Sequence, residues 1–215
     1  EVGEDVFYYL ALYNENHVMP ARPDGVSDAD IVGGLYRFAT APKLGKGAHR
    51  ATLLGSGSIM QQVLRAQALL AERFGVAAEV WSAPSYQRVR AEALTVERWN
   101  RLHPDQPRRT PLVTTALGAA AKAGPIVAAG DWVKGVPDQI ARWVPGDSWV
   151  SLGTDGFGRS DTRDALRRLF GVDTEHIAAA VLSELARTGH MEPAAAASAI
   201  ADLGIDPEAA DPLAL

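Results

Sequence analysis

The chain has 215 residues, 47% of them hydrophobic and 22% charged, enough apolar material for one large domain. Its net charge of −5 gives no general attraction to nucleic acid or to an anionic membrane, and no membrane span or signal peptide is expected. The absence of cysteine excludes disulfides, thiolate catalysis and zinc–cysteine sites, and suits a reducing cytoplasm.

Residues 5–13 (Asp-Val-Phe-Tyr-Tyr-Leu-Ala-Leu-Tyr) form a dense run of strand formers that needs cover on both faces, as in a parallel sheet. Standing so near Glu1, the run is expected to be the last strand of a preceding domain, with the chain a piece of a larger protein; the alternative is a complete protein that opens with a central strand. Asn14, Glu15, Asn16 and His17 follow it directly. Open α/β sheets place functional groups at the carboxyl ends of strands, so these four are candidates to face a substrate. The ordinary alternative is a polar loop exit.

Residues 17–30, with Pro20, Pro23 and Gly25, predict a connecting loop. The alternation over 34–40 and the apolar stretch 50–54, separated by a turn at 42–47, predict two strands in a hairpin that makes the sheet mixed. Ile59, Val63, Ala66, Leu70 and Phe74, spaced by four or three, predict a helix with one buried face that stops at Gly75. Residues 76–82 predict a strand carrying Val80 and Trp81. The stretch 84–103 reads as partly helical, with Val89, Ala93 and Val96 on one side.

Residues 112–115 fit a short strand and 116–123 a helix, followed by a buried strand at 125–129. Asp131 is expected to cap a helix that uses Val133, Val136, Ile140 and Val144, with Pro137 in its first turn. A further strand at 148–152 precedes a helix reaching Phe170. Two more helices, at 174–188 and 193–203, stop at Gly189 and Gly204. Strands alternating with helices predict a three-layer α/β sandwich with a mixed, mostly parallel sheet and a helical C-terminal tail.

Two glycine turns hold the remaining interest. In Gly153-Thr-Asp155-Gly-Phe157-Gly158-Arg-Ser160-Asp161, three glycines surround one large aromatic. That composition fits a turn whose backbone approaches something closely while the Phe157 ring anchors it. Ser160 or Asp161 is expected to cap the next helix. Asp155 and Asp161 are read as partners for turn amides and helix starts rather than as an acid–base pair.

Gly55-Ser-Gly-Ser58 lies between a strand and a helix, where backbone amides can hold an anion; otherwise it is a tight turn with a serine cap. Met60 occupies the third glycine position of the dinucleotide fingerprint, and the Lys-Ser or Lys-Thr of a phosphate loop is lacking. The histidines at 17, 49, 103, 176 and 190 show no short metal-ligand spacing. The five tryptophans are read as packing residues, because the charge around them does not favour bases.

Five stretches together carry a family likeness: Asp5-Val-Phe-Tyr-Tyr, Leu12-Tyr-Asn-Glu-Asn-His-Val-Met-Pro20, Leu53-Leu-Gly-Ser-Gly-Ser-Ile59, Glu97-Arg-Trp-Asn-Arg-Leu-His-Pro104 and Leu152-Gly-Thr-Asp-Gly-Phe-Gly-Arg-Ser-Asp161. They resemble the C-terminal region of the homodimeric, bacterial-type decarboxylating component of the pyruvate dehydrogenase complex, a transketolase-like thiamine-diphosphate enzyme. The resemblance implies that residues 1–20 close a pyrimidine-binding domain and cross over. Residues 21–215 would then be a transketolase-like C-terminal domain.

The same resemblance implies a cytoplasmic homodimer whose parent decarboxylates pyruvate on thiamine diphosphate with Mg2+. The two-carbon unit would pass to lipoyl groups of the acyltransferase component. Cofactor and metal motifs belong to parts of the parent outside this chain, so no catalytic, cofactor or metal residue is assigned and the chain alone is expected to be inactive. Asn14, Glu15 and His17 are the substrate-channel candidates. Asn14 stands where transketolase carries an arginine that grips a sugar phosphate, which fits a substrate without phosphate. Asp155, Phe157, Gly158 and Ser160 are structural turn residues, with domain packing and the dimer contact as their tasks. Two other functions stand beside this one: a free-standing nucleotide-binding module using the 55–58 turn, and an interaction domain docking other components of the complex.

Overall fold

Five strands, β1 (Tyr36–Ala39), β2 (His49–Gly55), β3 (Val76–Ser82), β4 (Ile126–Ala129) and β5 (Trp149–Leu152), form one sheet in the order β1-β3-β2-β4-β5. A computed structural model describes residues 3, 5–8, 10, 12 and 16–214. All neighbours are parallel except β1, which pairs antiparallel with β3 at the edge. The sheet is therefore mixed and mostly parallel.

Along β2, successive side chains point to opposite faces, so Leu53 and Leu54 enter different cores, and both are fully buried. One face is covered by α2 (Met60–Phe74), α7 (Thr174–Arg187) and α8 (Pro193–Asp202), whose Val63, Leu70, Val181 and Leu182 meet Leu53, Val80 and Val127. The other carries α3 (Tyr86–Leu102), α4 (Leu112–Ala123) and α5 (Gly135–Ala141), whose Val89, Leu117 and Ile140 meet Leu54 and Ala128. Two short helices, α1 (Asp28–Gly33) and α6 (Arg163–Leu169), complete the α set. The three-layer sandwich follows from this need to bury a parallel sheet on both sides.

The helix stops stand where glycine placed them. Gly75 takes the left-handed conformation with φ 64, and Gly189 and Gly204 do likewise just beyond α7 and α8. Among the described residues of 5–13, none lies in a strand, and Phe7, Tyr8, Leu10 and Leu12 are exposed. A strand of this composition needs neighbours on both edges, which the expected preceding domain would supply.

β1 does not form a hairpin with β2. The parallel crossover through α2 puts β3 beside β2 along its whole length, leaving the outer edge of β3 for β1. Residues 112–115 are helical rather than extended. The helix starts after Pro111 and buries Val113 and Leu117, four apart, on one face. The loop expected over 17–30 ends in the short α1, started by the capping box that Ser27 and Asp30 make.

Polar groups inside the core are mostly spoken for. Asn100 accepts from the Arg109 amide and donates to its carbonyl, both at 2.8 Å, and so pins the loop after α3. Gln62 of α2 accepts from Thr174 at 2.7 Å, tying α2 to the start of α7. Tyr86 is different. Its ring is buried, its hydroxyl meets no hydrogen-bond partner, and burial pushes its ionisation well above the usual range. Tyr86→Phe removes that unmade donor while keeping the ring, so it should leave stability unchanged or raise it by up to about 1 kcal/mol. A drop of the denaturation midpoint in this variant would mean that the hydroxyl has a partner in solution.

Candidate functional site

At the carboxyl edge of the sheet the chain changes direction. β2 is followed through α2 by β3 on one side, whereas β4 and then β5 extend the sheet on the other. In open α/β sheets ligands sit where the loops leaving such a pair of strands diverge, but here the loops leaving β2 and β4 lie close together. The 55–58 turn leaves β2, and Gly130 and Asp131 leave β4. A Cβ on Gly130 would stand 2.8 Å from the Ser56 hydroxyl, so glycine is what lets the two loops approach. Ser58 Oγ lies 3.2 Å from Asp131 Oδ2.

A third loop closes on these two. The Thr154 hydroxyl donates to the Asp131 carbonyl at 2.6 Å, and the Thr154 amide donates to the Trp132 carbonyl at 2.9 Å. Asp155 Oδ1 accepts the Lys134 amide at 2.9 Å, and its other oxygen lies 3.9 Å from Lys134 Nζ. Thus Asp155, from 21 residues away, serves the start of α5. Asp131, expected in that role, instead faces Ser58. A cavity of about 380 Å³ opens beside the junction, lined among others by Asp131, Thr154, Phe157, Arg159, Arg163 and Phe170.

The residues singled out from the sequence fall as follows. Asn14 and Glu15 lie outside the described residues. His17 is half-buried, with Nε2 withdrawn from solvent. In the second glycine turn the close approach is made at Gly153, where a Cβ would meet the Trp132 carbonyl at 2.3 Å. Phe157 does not anchor the turn within this chain: its side chain is 90% exposed. Gly158 has open space around it, and Ser160 is exposed.

The following helix is capped by neither Ser160 nor Asp161. Thr162 supplies the cap by accepting the Ala165 amide, and Asp161 accepts from the Thr162 amide at 2.6 Å. Trp132, expected to pack, and Val133, expected on a helix face, are instead both more than half exposed beside this turn, ahead of α5. No local signal marks them. The pairing of Ala129 with Leu152 is what brings their loop against Gly153.

Chemically, the junction suits hydroxyl and amide hydrogen bonding better than phosphate binding. Asp131 sets a carboxylate beside the 55–58 turn, where it opposes a second negative charge. Ser58 is committed to Asp131 rather than to capping α2, which starts after a 3₁₀ turn at Gly57–Ile59 without a side-chain cap. Among the described residues, no three His, Asp or Glu side chains come together to hold a metal ion. No helix among them is long and apolar enough to cross a membrane.

Comparison with known proteins gives the following. The family described as Transketolase-like TK C-terminal domain matches residues 34–173. The pyruvate dehydrogenase E1 component of Pseudomonas aeruginosa is 45% identical over 213 residues, 99% of this chain and 24% of that protein. The Mycolicibacterium smegmatis protein of the same name is 46% identical over 206 residues, covering 96% of this chain and 22% of its own length. The one from Escherichia coli K12 is 39% identical over 212 residues, 99% of this chain and 23% of that protein. The chain thus spans less than a quarter of the length of these relatives. Among solved structures, a transketolase from Leishmania mexicana has a TM-score of 0.48 at 21% identity, over 76% of this chain and 20% of that one.

Proposed function

Since the chain belongs to the transketolase-like C-terminal domain family, we propose that it is the third domain of a thiamine-dependent enzyme that decarboxylates pyruvate. The observation that carries this reading is the identity of 39–46% to pyruvate dehydrogenase E1 components over nearly the whole chain. In the parent, thiamine diphosphate would supply the stabilised carbanion. The described residues do not fit that cofactor: they bring no three acidic or histidine side chains together for its Mg2+, and Asp131 stands by the one strand-to-helix turn proposed for phosphate. No step of the reaction is therefore derived through them. The role assigned to this chain is structural, with residues 1–20 closing the preceding domain and residues 21–215 forming the C-terminal one.

Within that role, Asn14, Glu15 and His17 line the substrate passage, and the turn carrying Asp155, Phe157, Gly158 and Ser160 packs against other parts of a cytoplasmic homodimer. An exposed Phe157 supports the second point, since a ring 90% in water is a ready-made packing surface. The acyltransferase component of the complex is the partner that receives the two-carbon unit.

A chimera tests the whole reading. The corresponding region of the Escherichia coli E1 component is replaced by this chain, and pyruvate decarboxylation is assayed. Retained activity is expected, and a folded but inactive chimera counts against the assignment. In the active chimera, His17→Ala is expected to lower kcat/KM about tenfold, whereas unchanged kinetics would remove His17 from the passage. The nucleotide-module alternative is tested by titrating adenine nucleotides onto this chain, with saturable binding as the result that would revive it.

A further inference from the structure

We propose that segment 205–214 is a strap that holds the second glycine turn, residues 153–158, in shape and so sets how Phe157 is presented. The contact is direct. A Cβ on Gly156 would lie 3.5 Å from Leu213 Cδ2 and 3.6 Å from the Pro212 carbonyl, so the strap rests on the turn's backbone where there is no side chain. Gly156 has φ +86, a conformation that glycine adopts without strain, and the adjoining Phe157 projects into solvent.

The two halves of the turn are held differently. Thr154 and Asp155 are tied to the loop after β4 by hydrogen bonds to the Asp131 and Trp132 carbonyls and from the Lys134 amide. Gly156 rests on the strap. Gly153 and Asp155 of the turn and Pro212 and Leu213 of the strap line one cavity of about 480 Å³.

The strap is rooted and internally ordered. Arg168 Nη2 donates to the Gly204 carbonyl at its base, and the same guanidinium lies 3.3 Å from Asp173 at the start of α7. Along the strap, Asp206 accepts the Glu208 amide at 3.0 Å and Asp211 accepts the Leu213 amide at 2.9 Å. The 3₁₀ turn Pro212–Ala214 that follows them rests against Gly156. Residues far apart in sequence thus build one unit, which no local pattern around 153–158 announces.

Hydrogen exchange by mass spectrometry on the 215-residue chain tests the strap, compared with a chain stopped after Gly204 and with Leu213→Asp. Peptides spanning 153–160 are expected to exchange about tenfold faster in both variants, with β2 and α2 peptides unchanged. Equal exchange over 153–160 in the folded variants would overturn the proposal. Should the shortened chain unfold, L213D decides alone: a local acceleration supports the strap, and a uniform or absent one rejects it.

Discussion

Gly124→Ala is expected to lower the unfolding free energy by about 3 kcal/mol or more, the loss typical of severe overpacking against backbone. A Cβ there would stand 1.9 Å from the Arg50 carbonyl oxygen and 2.7 Å from its carbon. The φ of 171° is ordinary extended backbone, so the loss is steric and not conformational. Nor can the obstacle step aside. Arg50 belongs to β2, which is paired with β3 on one side and β4 on the other, and the amide two residues further on, that of Thr52, donates to the Pro125 carbonyl at 2.9 Å.

Gly45→Ala is the matched control: nothing lies within 4 Å of its Cβ, and its stability should stay within about 0.5 kcal/mol of the parent. Denaturant melts of the two variants, read as midpoints at constant slope, make the comparison. Indistinguishable midpoints would show that β2 and β4 are not packed at this separation.

The second large effect is expected at Asp173, where alanine should cost about 2–3 kcal/mol at neutral pH, combining a lost helix cap with lost ion pairing. Asp173 Oδ1 accepts the His176 amide at 2.9 Å and faces its Nδ1 at 2.6 Å, while Oδ2 lies 3.3 Å from Arg168. Burial alone would raise the Asp173 carboxyl. The His176 side-chain and backbone hydrogen bonds, the His176 charge and the Arg168 hydrogen bond outweigh it and hold the group below its ordinary value of 3.8.

A carboxyl depressed by folding stabilises the native state fully above its unfolded pKa, and that contribution disappears as pH falls through the lower folded one. Parent and Asp173→Asn should therefore differ above about pH 5, and the gap should close as pH falls below 3.8. Asparagine keeps an oxygen for the cap, so this pair isolates the charge. A gap that persists unchanged into strong acid would show that the loss does not come from the Asp173 charge.

Much of this architecture was legible in the residues, for a local reason. The spacing of Ile59, Val63, Ala66 and Leu70 dictates one buried helix face whatever lies opposite, and Gly75 can stop that helix because it needs no partner to turn left-handed. Val76, Val80 and Trp81, like Ile126 and Val127, favour extended backbone for equally local reasons. Where the local signal was split, as over 112–115, the longer helical pattern with Val113 and Leu117 prevailed over four residues of strand preference. Residues 5–13 show the opposite limit: strand formers at full strength, yet no strand among the described ones, because a strand is completed by its neighbours.

The candidate site was less legible, because its contacts join loops rather than neighbours in sequence. Asp131 precedes a helix and looked like its cap, but Asp155 reaches the Lys134 amide once β4 and β5 lie side by side. Phe157 looked like an anchor, and its exposure depends on what the rest of the molecule does not place over it. The order of residues was sufficient to specify helices, stops, the alternation of layers and the family motifs, since each depends on periods and dihedrals within a few residues. Tertiary structure alone decided that β3 separates β1 from β2, that Gly124 and Gly153 lie against backbone, and that Leu213 covers Gly156. Those outcomes rest on close approach between segments tens of residues apart, and close approach is set by how whole layers pack.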